Sequence, residues 1–150
     1  MDIAKILDFD FLHRISFFNF ENAITAAFYV DQNLSLINAN KNFENLFKKG
    51  IKIKSQNLLT LLANLGVEQE TITDFRETLN KDGKVLIPQI KIRLNDEIHY
   101  FSLLSTKTKS SITDSLNGVQ GQLIDRTAET ILKQENEKLI SLNQEAYELS

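Results

Sequence analysis

Ile3, Leu7, Phe11, Ile15 and Phe18 recur every three or four positions, while Asp2, Lys5, Asp8 and Arg14 fall largely elsewhere. That spacing predicts an amphipathic helix over residues 1–20. Five of the ten Phe residues lie in this stretch, so its stripe needs a cover, either the domain's own sheet or another subunit. The rhythm then changes to alternation. Two short strands are predicted at about 26–31 and 34–38, joined by Asp31-Gln32-Asn33, whose side chains bond their own backbone and tolerate positive φ. Asn40 reads as the N-cap of a helix holding Phe43, Leu46 and Phe47 and ended by Gly50. A second short helix is predicted from a Ser55 cap to Gly66. A third spans 68–80, with Ile72, Phe75 and Leu79 on one face and the turn Lys81-Asp82-Gly83 closing it.

Alternation returns at 84–94, where Pro88 argues for an edge position or a bulge. Asn95-Asp96-Glu97 turns the chain into a strand beginning at Ile98. In that strand His99, Phe101 and Leu103 point one way and Tyr100, Ser102 and Leu104 the other. Both sets are largely apolar, which predicts cover on both faces. A polar loop leads to a last strand over 119–125. The element order predicts an α+β fold: a five-stranded antiparallel sheet with short helices on one face. From 128 to 150 the chain reads as one helix. Ala128, Leu132, Glu135, Leu139, Leu142, Ala146 and Leu149 form a seam at alternating spacings of four and three, with a single charge on it at Glu135. Pairing with a second helix is expected; the alternative is a solitary helix packed on its own domain. The seam is still running at Leu149, so a longer parent protein is expected. The chain thus divides into a flanking helix (1–20), a central domain (21–127) and an outgoing helix (128–150).

Composition narrows the function. With 17 basic and 20 acidic residues the net charge is -3, against the basic surplus that nucleic-acid binding requires. The cluster Lys41, Lys48, Lys49, Lys52 and Lys54 has no interleaved aromatic platform and reads as a solvated rim. No cysteine is present, which excludes disulfides, thiolate nucleophiles and Cys-based metal sites and is compatible with a reducing cytosol. The longest apolar run, Ile24–Val30, is too short to cross a bilayer. A cytoplasmic location is expected.

Catalytic patterns are sparse. His13 and His99 stand without partner ligands at metal spacing. Gly66, Gly83, Gly118 and Gly121 match no phosphate-binding loop, and no Gly-x-Ser-x-Gly elbow exists. Glu44, Asp74, Glu77 and Asp82 are scattered. The sharpest local signal is "LIDRTAET", where strand becomes helix. There Thr127 reads as an N-cap, Glu129 favours the helix dipole, and Asp125 is placed to accept N–H bonds of the first turn.

"AAFYVDQNLSLINANKNFENLF" resembles the opening of a PAS domain: a strand ending in Asp, a turn, a strand ending at Asn, and a helix with Phe three residues on. Asp31, Asn40 and Phe43 match, although Lys41 stands where the family often has proline. "GVQGQLIDRTAE" is similar to the last PAS strand and its Asp-x-Thr exit, matched by Asp125 and Thr127. The resemblance covers residues 22–127 and implies a sensory and dimerisation module rather than an enzyme. It further implies a pocket between sheet and helices. Candidate lining residues are Phe43, Phe47, Leu62 and Phe75 from helices and Ile92, Tyr100, Ser102 and Gln122 from strands.

It also implies a signal joint at Asp125 and Thr127, and a homodimer formed through Leu7, Phe11, Ile15 and Phe18, through Leu132, Leu139 and Leu142, or through both sets. An output signalling domain is expected elsewhere in the polypeptide. Cysteine-adduct flavin is excluded by composition, and haem is disfavoured because residues 68–80 contain no histidine. Non-covalent flavin or a small organic ligand fits, as does a pocket filled by the chain's own side chains, the reading favoured by large apolar residues at helical spacing. The rival readings are a small α+β enzyme using the same pocket and a ligand-free structural adaptor.

Overall fold

The computed structural model describes residues 25–108 and 117–149. The expected N-terminal helix with Leu7, Phe11, Ile15 and Phe18 lies outside the described residues, as do residues 109–116 of the polar loop. Strand β1 (Ala26–Val30) meets the knot Asp31-Gln32-Asn33, where the Asp31 carboxylate accepts from the N–H groups of Asn33 (2.8 Å) and Ser35 (2.9 Å). Leu34 takes a left-handed φ of 66°, which delays β2 to Leu36–Ala39, two residues later than alternation alone suggests. Asn40 caps α1 (Lys41–Glu44), accepting from the Phe43 N–H at 3.0 Å. That helix is a single turn. Leu46 and Phe47 follow it, half-buried, instead of belonging to a helix that runs to Gly50.

Helix α2 (Leu58–Asn64) is capped by Asn57, whose side chain accepts from the Leu59 N–H at 2.9 Å. The expected cap, Ser55, has a left-handed φ of 70° and lies in the turn before it. Helix α3 (Gln69–Asp82) ends at Gly83, whose φ of 74° places its N–H on the Leu79 carbonyl. The long hairpin of β3 (Lys84–Leu94) and β4 (Glu97–Thr108) closes on Asn95 and Asp96, with φ of 51° and 66°. This two-residue turn suits the strand twist, and it leaves Glu97 in the sheet rather than in the turn. The register breaks between Ile87 and Ile90, at Pro88, as a residue without an N–H requires. β5 (Gly118–Asp125) precedes α4 (Thr127–Leu149).

The sheet is five-stranded and antiparallel, in the order β2-β1-β5-β4-β3. One face is apolar: Phe28 and Val30 from β1, Leu123 from β5, Leu103 from β4 and Ile92 from β3 meet Phe43, Leu58, Leu62, Phe75 and Leu79 from the helices. The expected fold class is therefore the observed one, with the three short helices on a single face. Phe28, Phe43 and Phe75 have no exposed surface, and the rings of Phe28 and Phe43 lie 5.4 Å apart. On the opposite face of β4, Ser102 is buried and Tyr100 and Leu104 are half-buried, while Leu86 and Ile98 beside them expose 62% and 49% of their surface.

Candidate functional site: an open cleft and a sheet-to-helix joint

The residues selected as pocket candidates do not converge on one cavity. Phe43, Leu62, Phe75 and Ile92 are packed in the core, with Phe47 half-buried against it, its ring 5.5 Å from that of Phe43. Tyr100, Ser102 and Gln122 belong to the other side of the sheet. The pairing of Ile92 with His99 puts the even-numbered residues of this part of β4 on the face away from the helices. Gln122 is exposed and accepts from the Thr25 hydroxyl at 2.8 Å. The core face is closed by its own side chains. The ring of Phe28 lies over Gly121, where a Cβ would sit only 2.6 Å from both Phe28 Cε2 and Ser105 Oγ. Ser105 Oγ is buried there and has no hydrogen-bond partner among the described residues.

Space opens instead at one end of the sheet, in a cleft of about 940 Å³. Gln32, Asn33 and Leu34 of the β1–β2 turn form one wall, and Asn57 and Leu59 at the start of α2 another. Arg76, Leu79 and Asn80 of α3 face the ends of β4 and β5, from Lys107 and Thr108 to Asn117, Gly118 and Val119. None of the eight pocket candidates lines it. Leu34, Leu59, Leu79 and Val119 are its apolar lining, amide side chains are its polar lining, and Arg76 and Lys107 supply two positive charges, with no carboxylate or histidine among the described lining residues. Among the described residues neither cation is held in an ion pair. Sequence reasoning missed both, because Arg76 reads as an exposed helix position and Lys107 as the start of a loop. Only the approach of α3 to the end of β4 puts them in one cleft.

Asp125 and Thr127 do meet, Asp125 in the role its spacing suggests and Thr127 in a different one. The Asp125 carboxylate accepts from the Thr127 N–H at 2.9 Å and so satisfies a free donor at the start of α4. Thr127 is not the cap. Its hydroxyl accepts from the Tyr100 N–H at 3.0 Å and stands in for the next backbone group of the β5–β4 ladder. Between them, Arg126 donates its N–H to the Tyr100 carbonyl at 2.7 Å, while its own carbonyl accepts the first helical bond, from Thr130, at 2.9 Å. The sheet thus continues into the helix without a linker. Sequence reasoning passed over Arg126 because neither its backbone role nor its partner on β4 has a local signature.

Beyond the joint, α4 exposes Ile131 (42%), Leu132 (61%), Leu139 (58%), Ile140 (57%) and Leu142 (51%) to solvent. His99 lies 3.7 Å from the Glu97 carboxylate, and among the described residues no three His, Cys, Asp or Glu side chains gather to hold a metal. No helix among the described residues is long and apolar enough to cross a membrane.

This strand order, with its single-turn helix after β2 and its exit at an Asp-x-Thr joint, is the fold of a PAS domain. Solved structures share it. The PAS domain of a protein from Colwellia psychrerythraea superposes with a TM-score of 0.55 at 15% identity, covering 78% of this chain and 98% of that one. The PAS domain of Bordetella pertussis BvgS gives 0.56 at 13% identity, covering 84% and 97%. An RNA-binding light-oxygen-voltage receptor gives 0.68 at 18% identity and covers 91% of this chain, which spans 38% of the receptor's length. No family model and no curated protein matches the sequence.

Proposed function

We propose that the chain is a cytoplasmic PAS-type sensory and dimerisation module that passes a signal through α4 to an output domain outside these residues. The observation that carries this reading is the joint. Hydrogen bonds among Tyr100, Asp125, Arg126 and Thr127 fasten the first turn of α4 to the ends of β4 and β5, so a small displacement of the sheet is delivered to the helix as a tilt or rotation. The exposed Leu132, Leu139 and Leu142 give that helix a seam for a second copy, with the N-terminal stripe of Leu7, Phe11, Ile15 and Phe18 as a further pairing element. The module acts by binding and shape change, not by catalysis. The RNA binding in the name of one similar receptor is not carried over, because the net charge of -3 opposes it.

For the input, the packed core directs a ligand to the open cleft, and Arg76 with Lys107 favours a small anion carrying an apolar part. The same packed core supports a second reading, a ligand-free adaptor.

Light scattering during gel filtration tests the assembly: a dimer is expected at micromolar concentration, and Leu139→Glu should shift it to monomer. A strict monomer for the unaltered chain would remove the dimer reading. Native mass spectrometry of the purified protein separates a retained ligand from the adaptor.

A further inference from the structure

The edge strand β3 breaks register at Pro88, and the carbonyl of Pro88 does not go unused. It accepts from Ser102 Oγ at 2.7 Å. Ser102 sits on β4 facing away from the helices and is 6% exposed, so its hydroxyl has few competing water partners. A serine hydroxyl has one hydrogen to donate and two lone pairs with which to accept. With its hydrogen on Pro88, it accepts from Arg126 Nε at 3.4 Å. The guanidinium of Arg126 then reaches the Glu129 carboxylate through a terminal nitrogen at 3.3 Å, in the first turn of α4. The backbone of Arg126 is itself divided between sheet and helix, through Tyr100 and Thr130. A continuous line of polar contacts therefore runs from the bulge of the edge strand to the outgoing helix, and it does not pass through Asp125 or Thr127.

We propose that Ser102 is a positioning residue that couples the β3 bulge to the first turn of α4 through Arg126, so that displacement of the edge strand at Pro88 is read as a change in α4. The bulge is suited to this role. It is the one place in β3 where the ladder shifts register, so its carbonyl can move with less disturbance to backbone pairing than elsewhere in the hairpin. Withdrawal of that carbonyl frees the Ser102 hydroxyl to rotate and releases its hold on Arg126. The coupling goes beyond the sensory reading in naming the edge strand as an input. Its biological meaning rests on α4 being the output, whereas its physical test does not.

The test is residue-resolved hydrogen exchange on the full chain. Coupling between two sites is reciprocal. Ser102→Ala is expected to speed exchange of the α4 amides from Thr130 to Lys133, and Arg126→Gln to speed exchange in β3 from Val85 to Ile92, each by about three- to tenfold, the size of one lost hydrogen bond. Amides of α3 should be unchanged in both variants. Ser102→Thr, which keeps the hydroxyl, should retain the slow exchange of α4. Arg126 is exposed, so its variant keeps the question open to measurement even where Ser102→Ala folds poorly. Unchanged β3 exchange in Arg126→Gln overturns the proposal, as does a rise in Ser102→Ala spread uniformly over α3 and α4. Either outcome leaves the dimer measurement untouched, so failure of the coupling and failure of the sensory reading are told apart.

Discussion

The ring of Phe28 on β1 lies against Gly121 on β5, in the space that a side chain at position 121 would need. The two residues pair directly across the strands, and the ring closes the middle of the core face. Gly121→Ala should therefore overpack the sheet and lower stability by about 1–3 kcal/mol. Phe28→Ala should lower it by about 3–5 kcal/mol. The double variant should be less destabilised than the sum, since the new methyl enters the space that the ring leaves. Urea denaturation of the four proteins measures this, and strict additivity would contradict the packing.

Asn40 holds three groups at once. Its side-chain oxygen accepts from the N–H groups of Phe43 and Ala27, both at 3.0 Å, and its amide donates to the Thr25 carbonyl at 2.8 Å. It is 1% exposed, so no water replaces it when it is truncated. Asn40→Ala should cost about 1–3 kcal/mol, at the upper end because two N–H groups are left without their acceptor. Thermal melting checks the value.

Thr127 extends the sheet by a side chain, and the hydroxyl is what matters. Thr127→Val, similar in shape, should cost about 1–3 kcal/mol because the Tyr100 N–H loses its acceptor, whereas Thr127→Ser should lose little. Asp125→Ala removes only the bond to the Thr127 N–H and should cost about 0.5–2 kcal/mol. Chemical denaturation followed by circular dichroism compares the three. Equal melting of Thr127→Val and Thr127→Ser would show that the joint does not depend on this bond.

The cleft charges predict selectivity. In NMR titrations, sodium citrate or inorganic phosphate should shift amides near Arg76, Asn80 and Lys107, and a neutral sugar should not. Arg76→Ala and Lys107→Ala should each weaken anion binding by about tenfold, as the loss of one charge-assisted hydrogen bond implies. Shifts of equal size with the neutral probe would assign the cleft to non-ionic ligands.

Local signals in the chain were read correctly where the physics is local. Asn40 caps its helix because a short side-chain acceptor three residues before Phe43 reaches that residue's N–H within the same turn. Pro88 marks a bulge because it has no N–H. The turn at Asn95-Asp96 was recognisable because those residues tolerate left-handed φ. Where two polar residues competed for one role, sequence alone chose wrongly. Ser55 and Asn57 both suit a cap, and the left-handed φ at Ser55 hands the cap to Asn57, which also donates to the Asn33 carbonyl at 3.0 Å.

What the sequence determined by itself was the order of elements among the described residues, the antiparallel α+β class and the existence of the last helix, because periodicity and capping act within a few residues of one another. The tertiary structure decided which face each strand residue serves. It therefore sent Tyr100, Ser102 and Gln122 away from the core, and it gathered Arg76 and Lys107 at one cleft from positions 31 residues apart. It also decided that Thr127 bonds across to Tyr100 rather than along its own helix. The physical reason is the same in each case: side-chain hydrogen bonds and burial depend on strand register and on how helices dock, and neither is written in the local spacing of residues.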